Sequence, residues 1–149
     1  MKKQNLLVSA CLLGVCCRYD GASKPDPRVI ALRENFVLIP ICPEVDGGLP
    51  TPRTPSERVG DKVLMRDGKD VTHNYNAGAE AALERAKSFS CVGAVLKARS
   101  PSCGKGNIYD GSFSGTLREG DGVAAELLKK NGIDVYTEEE IDALIKKHT

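Results

Sequence analysis

The chain has no tryptophan, only four tyrosines and three phenylalanines, and two histidines among 149 residues. Single-strand nucleic-acid platforms stack bases on aromatic rings, so a chain this poor in them is a weak candidate for one. With only His73 and His148, a zinc site of the usual Cys/His spacing is poorly supported. Charge of one sign is missing too. Basic residues number 21 and acidic residues 20, for a net charge of +1. That balance gives no field to hold long nucleic acid or an anionic membrane. No stretch approaches the roughly 20 apolar residues of a membrane span. Internal repeats, low-complexity segments and any Cys-x-x-Cys pair are also lacking.

What the chain does have is cysteine: Cys11, Cys16, Cys17, Cys42, Cys91 and Cys103. At 41% hydrophobic and 28% charged residues, the composition is that of an ordinary globular protein, expected to form one domain over residues 1–149. The opening MKKQNLLVSACLLG carries a lipoprotein-like box, Val8-Ser9-Ala10-Cys11, after two lysines. A secretory segment needs about 7–15 apolar residues. Here the run is Leu6-Leu7-Val8 alone. The expected location is therefore the cytoplasm, where thiols stay reduced and clustered cysteines point to metal binding or catalysis.

The apolar runs at 6–10, 37–41, 92–98 and 133–136 predict four buried strands. Helices are predicted between and after them. Asp26-Pro27 starts one over 27–35, Thr72 caps one running to about Phe89, and Asp121 caps one ending at Asn131-Gly132. The capping box Thr137 to Glu140 starts the last, with Ile141, Leu144 and Ile145 inward. The long helix should turn Tyr75, Ala79, Ala82, Leu83 and Ala86 inward. Residues 43–60 are predicted as loop, 62–71 as a hairpin turning at Asp67-Gly68, and a second hairpin is placed around Asp110-Gly111. This alternation predicts a single-domain α/β fold. It has a mainly parallel open sheet, helices on both faces in a Rossmann-like arrangement, and small hairpin insertions.

Ligands of such sheets sit beyond the carboxyl ends of the strands. Cys11 follows the first strand, Cys42 ends the second, and Cys103 lies just beyond the third. Fold logic thus brings these thiols to one edge. Cys91 falls at the other end of the third strand, as a structural thiol. Cys16 and Cys17 lie in the loop after the first strand. Adjacent side chains diverge, so at most one of them is expected to approach the site.

The segments SACLLGVCCRYDG, ICPEVDGGLPTPR, DGKDVT, LKARSPSCGKGNIYDGSFSG and GDGV resemble a family of short bacterial proteins, the thiouracil desulfurases or desulfidases. The resemblance runs from about residue 6 to residue 137. It implies a 4Fe-4S cluster held by Cys11, Cys42 and Cys103, with one iron lacking a protein ligand. It implies active-site roles for Glu44 of CPEV and Ser100 of SPSCG. Ser102 stands close enough to share the second role. The pair Cys16-Cys17 departs from the family pattern, in which another residue commonly precedes the second cysteine.

The chemistry of such a site is consistent. An open cluster iron is a Lewis acid for the soft sulfur of a thiocarbonyl, and water replaces that sulfur with no net electron transfer. Glu44 would serve as base and Ser100 as proton relay or ring holder. Arg18, Tyr19 and Asp20 could line a substrate pocket; an Arg18–Asp20 pair stapling its own loop is the alternative. Arg53 could aim inward from its proline-rich loop or lie solvated. The amides near Gly104 and Gly106 could hold an anion or merely permit a turn. The expected partner is a small thio-compound such as 2-thiouracil, with no long nucleic acid and no membrane, and with the acceptor of released sulfide unknown. Two other readings stay open. One is a cluster-dependent sulfur donor or dehydratase-like Lewis acid; the other is a zinc- or thiol-based structural or redox-sensing protein, in which Cys17 would join the site.

Overall fold

The structure is a computed structural model that describes residues 3–149. Residues 1 and 2, which belong to the expected domain and to the lipoprotein-like opening, lie outside the described residues. In chain order come β1 (Gln4–Ser9), α1 (Pro27–Ala31), β2 (Phe36–Ile41) and α2 (Pro43–Asp46). The hairpin β3 (Ser56–Val59) and β4 (Lys62–Met65) follows, then α3 (Thr72–Ser88) and β5 (Gly93–Leu96). A second hairpin, β6 (Asn107–Tyr109) and β7 (Leu117–Glu119), precedes α4 (Val123–Lys130), β8 (Asp134–Thr137) and α5 (Ile141–His148).

The sheet is fully parallel, in the order β2-β1-β5-β8. Period-two alternation sorts its side chains onto two faces. Leu6, Val8 and Val95 face Val29 and Leu32 from the first helical segment and Ile141 and Leu144 of α5. Leu7, Ala94 and Leu96 face Ala82 and Ala86 of α3 and Ala125 and Leu128 of α4. Leu6, Leu7 and Val8 are wholly buried. Each contributes about 1.5–3 kcal/mol of burial. β1 pairs with β2 on one side and β5 on the other, so it is central. The chain leaves β1 for β2, then crosses back over β1 to β5. That reversal opens a crevice at the carboxyl end of β1.

Several local expectations are corrected. β2 is an edge strand with Val37 exposed. This explains why Pro40, which has no N–H, fits there. The segment 56–59, read as loop, is a strand. It pairs with β4 from Ser56↔Met65 to Val59↔Lys62, while the expected partner segment 69–71 makes a single bridge, Leu64↔Asp70. Thr72 does not cap α3: Val71 is the cap residue and the Thr72 hydroxyl accepts from the Val63 N–H. Asp121 does not cap α4; its carboxylate accepts from Gly106 N–H and pairs with Lys129. Ile145 is exposed. The caps at Asp26 and Thr137 form as expected.

α2 lies directly on α3. A Cβ at Gly78 would stand 1.8 Å from the Pro43 carbonyl oxygen, and one at Gly47 would stand 2.0 Å from the Asn74 carbonyl oxygen. Glycine at both positions lets the two main chains touch.

Candidate active site

Three strand ends supply the cysteines. Cys11 sits in the 3-10 turn Ala10–Leu13, closed by Gly14 in the left-handed conformation (φ 99°). Cys42 is the cap residue of α2, followed by Pro43, whose missing N–H suits a first helical turn. Cys103 sits in a turn tied by the Ser100 hydroxyl, which accepts from the N–H groups of Ser102 and Cys103, each at 3.1 Å. A helix start leaves orphan amides. The first amides of α4 donate to Pro101 and Ser102 carbonyls, and Gly122 N–H donates to Gly104 O at 2.7 Å, so the helix holds the cysteine turn from behind.

The thiols of Cys11, Cys17, Cys42 and Cys103 line one cavity of about 360 Å³. Among the described residues, no group of three or more Cys, His, Asp or Glu closes round a point that would hold a single ion. The thiols form a wall instead. Ser9, at the end of β1, donates to Cys103 Sγ at 3.3 Å, and the Ser9 oxygen accepts from Lys97 N–H at 2.9 Å. Burial pushes the Cys103 thiol up to about 12, with hydroxyls of Ser9 and Ser102 working against the rise. Cys17 is raised to about 11, first by its hydrogen bond with Cys11. Cys42 is raised chiefly by its hydrogen bond with Cys17 and by burial. Metal loading here must displace thiol protons.

Glu44, two residues past Cys42, reaches the same cavity. Its Oε1 accepts from the Tyr75 hydroxyl at 2.7 Å and from Arg53 Nε at 3.3 Å. Its Oε2 accepts from the Ser102 hydroxyl at 3.1 Å. Ser102 and Ser100 hydroxyls are 3.0 Å apart. With the Ser102 proton on Glu44, Ser100 is the donor of that second bond. A continuous line Ser100–Ser102–Glu44 thus runs along the wall beside Cys103.

Cys11, Cys42, Cys103, Glu44, Ser100, Ser102, Arg18 and Tyr19 therefore come together at one cavity. Asp20 does not line it; its carboxylate accepts from Ala22 N–H in its own loop. Arg18 stacks over the Tyr19 ring at 5.8 Å instead of pairing with Asp20. Of the adjacent pair, of which at most one was expected at the site, Cys17 is buried at the wall and Cys16 is exposed. Arg53 is not solvated; its side chain is 3% exposed. The Gly104 and Gly106 amides are spent on Ser100 O and the Asp121 carboxylate, which leaves neither for an anion. His148 lies far from this cavity, with its Nε2 3.3 Å from the Tyr136 hydroxyl and 3.5 Å from Asp134. Sequence reasoning also missed Ser9, Lys97, Glu57, and Tyr75 as a partner of Glu44. A tyrosine on an alanine-rich inner face was the available signal, because a buried phenol usually finds a polar partner.

Parallel strands ending in thiols, with a carboxylate and hydroxyls across a shared cavity, define an α/β protein built for soft-metal or thiol chemistry. The chain belongs to the 2-thiouracil desulfurase family, whose model matches residues 6–140. It is 39% identical over 150 residues to the uncharacterized protein YbbK of Bacillus subtilis (strain 168), covering 94% of this chain and 99% of that one. Among solved structures it is similar to the 4Fe-4S-dependent thiouracil desulfidase TudS. The TM-score is 0.92 at 44% identity, with 97% of each chain covered. No helix among the described residues is long and apolar enough to cross a membrane.

Proposed function

We propose that the chain is a desulfidase that hydrolyses the C=S bond of a small thiocarbonyl compound such as 2-thiouracil, using a 4Fe-4S cluster bound by Cys11, Cys42 and Cys103. The observation that carries the reading is the meeting of these strand-end thiols with Glu44 at one cavity. Family membership and the similarity to TudS support it. The donor set fits the group, since thiolates suit iron–sulfur clusters and these thiols line a wall of a roomy cavity. When bound by three cysteines, such a cluster supplies an open, Lewis-acidic iron for a soft sulfur donor.

The balance of the reaction is thiocarbonyl plus water to carbonyl plus hydrogen sulfide, with no electrons gained or lost. Glu44 takes a proton from the attacking water. Ser102 and Ser100 carry protons along the wall and orient the ring through their hydroxyls. Arg18 and Tyr19, at the rim, bound the substrate. Asp20, engaged in its loop, has no part in this reading. Six unpaired thiols fit a reducing compartment, the cytoplasm.

Cys17 favours a second reading. A fourth thiol at the wall is what a thiol-based redox or structural site would use. One experiment separates the two. Anaerobically prepared protein is analysed for iron and acid-labile sulfide, then given 2-thiouracil while uracil and sulfide are measured. Desulfuration by cluster-loaded protein supports the proposal. Zinc, or no metal after reconstitution, together with no sulfide release, overturns it in favour of the thiol reading.

A further inference from the structure

We propose that Arg53 and Tyr75 are positioning residues that occupy one oxygen of Glu44 and leave the other as its working oxygen. This rests on the reading of Glu44 as the proton-handling group. A carboxylate oxygen accepts along about two lone-pair directions. Oε1 has both taken, by the Tyr75 hydroxyl at 2.7 Å and Arg53 Nε at 3.3 Å. Oε2 has one taken, by Ser102, and keeps one for a water or substrate proton.

Both donors are built into the protein. Tyr75 is 1% exposed and comes from the first turn of α3. Arg53 spends its remaining nitrogens on the protein as well. Nη1 donates to Pro50 O at 3.2 Å and Thr51 Oγ1 at 3.1 Å, and Nη2 donates to Cys17 O at 2.9 Å. Its backbone N–H donates to Tyr19 O at 2.7 Å. A guanidinium with every nitrogen engaged is a brace, and it has no fork to offer a substrate anion. It ties the loop that carries Cys17 to the helix that carries Glu44. The glycine contacts of α2 with α3 set the height of Glu44 against Tyr75. The carboxylate is therefore held from two sides, by Tyr75 and Arg53 at Oε1 and by Ser102 at Oε2.

Tyr75→Phe deletes the hydroxyl and keeps the ring. The expected result is a fall in kcat of about 10- to 100-fold with KM little changed, the size of effect a misaimed catalytic group produces. Iron and acid-labile sulfide content should stay at the wild-type level. Wild-type kcat in Tyr75→Phe, or a loss of activity that tracks a loss of cluster, overturns the proposal. Arg53→Lys is an independent arm: it keeps the charge but lacks the fork, and the same split of kcat from KM is expected. Wild-type kcat there overturns the role of Arg53. In a Glu44→Gln background, Tyr75→Phe should cost nothing further, and a second full loss overturns an action through Glu44. Failure of the functional reading looks different. Glu44→Gln would then turn over like wild type, whereas a slow Glu44→Gln beside a fast Tyr75→Phe sinks only the positioning role.

Discussion

The two ends of the four-stranded sheet are made by the same strands and have opposite character. At the carboxyl ends, Cys11, Cys42 and Cys103 open onto a cavity shared with a carboxylate and two serine hydroxyls. At the amino ends, polar groups close on one another. Asn5 Nδ2 donates to Phe89 O at 2.6 Å, Asn5 O accepts from Val92 N–H, and His148 sits against Tyr136 and Asp134. Cys91 lies at that closed end, its thiol raised by burial alone. Cys103, at the other end of β5, is raised by burial but opposed by two hydroxyls. The same residue type is packing at one end and a candidate ligand at the other, and what differs is the end of β5 at which each thiol sits.

The largest test of this contrast is removal of the thiols. Cys11→Ala, Cys42→Ala and Cys103→Ala should each lose the cluster, read as iron, sulfide and visible absorbance, and lose turnover with it. Cys91→Ala should keep both. Equal losses at the two ends would erase the distinction.

Next comes a pair of glutamates that line one cavity. Glu44→Gln should lower kcat by about 10²- to 10⁴-fold with the cluster retained. Glu57 also lines the cavity, but its Oε1 accepts from the Gly111 and Phe113 amides of the β6–β7 turn. Glu57→Gln should lower thermal stability and affect KM more than kcat. A reversal of the two phenotypes would assign the chemistry to the wrong carboxylate.

A smaller effect is expected at Ser9, whose hydroxyl donates to Cys103. Hydrogen bonds to cluster sulfurs tune their electronics. Ser9→Ala should shift the reduction potential and visible spectrum of the loaded protein without loss of iron; an unchanged spectrum and potential would count against that contact.

The smallest lies at Asp121, behind the cysteine turn. Burial would raise its carboxyl, but Lys129, the Gly106 amide and Lys105 outweigh burial and hold it below the ordinary 3.8. A depressed carboxyl adds stability that is present above its unfolded value and lost as pH falls through the lower folded one. Asp121→Asn should remove about 1 kcal/mol or less near neutrality, and the gap from wild type should close in acid denaturation below about pH 4. A gap that widens in acid would reverse the sign.

Much of this was legible beforehand. Apolar runs mark strands because both faces of a parallel sheet are covered, and the cysteines after the first three runs then share an edge by topology alone. The losses have equally physical causes. Ser56-Glu57-Arg58 reads as loop because it lies within a Pro- and Gly-rich stretch, yet Glu57 turns inward to accept from two amides of a turn more than fifty residues away. Tyr75 shows as core by its helical spacing, while the acceptor of its hydroxyl lies on another helix. Arg53 carries a full charge, which composition assigns to water; four acceptors around its guanidinium make its burial tolerable. Cys17 is hidden by its neighbour, since sequence cannot say which of two adjacent thiols points in.

Gly47 and Gly78 contribute no atom to any reaction, yet they act as the gauge of the site. With main chain resting on main chain, the gap between carboxylate and phenol is set by atoms that every residue possesses. Side chains on the outer surface of α3 can drift without changing that gap. A single methyl group at either glycine would reset it. The positions least free to vary near this cavity are thus two that have no side chain at all.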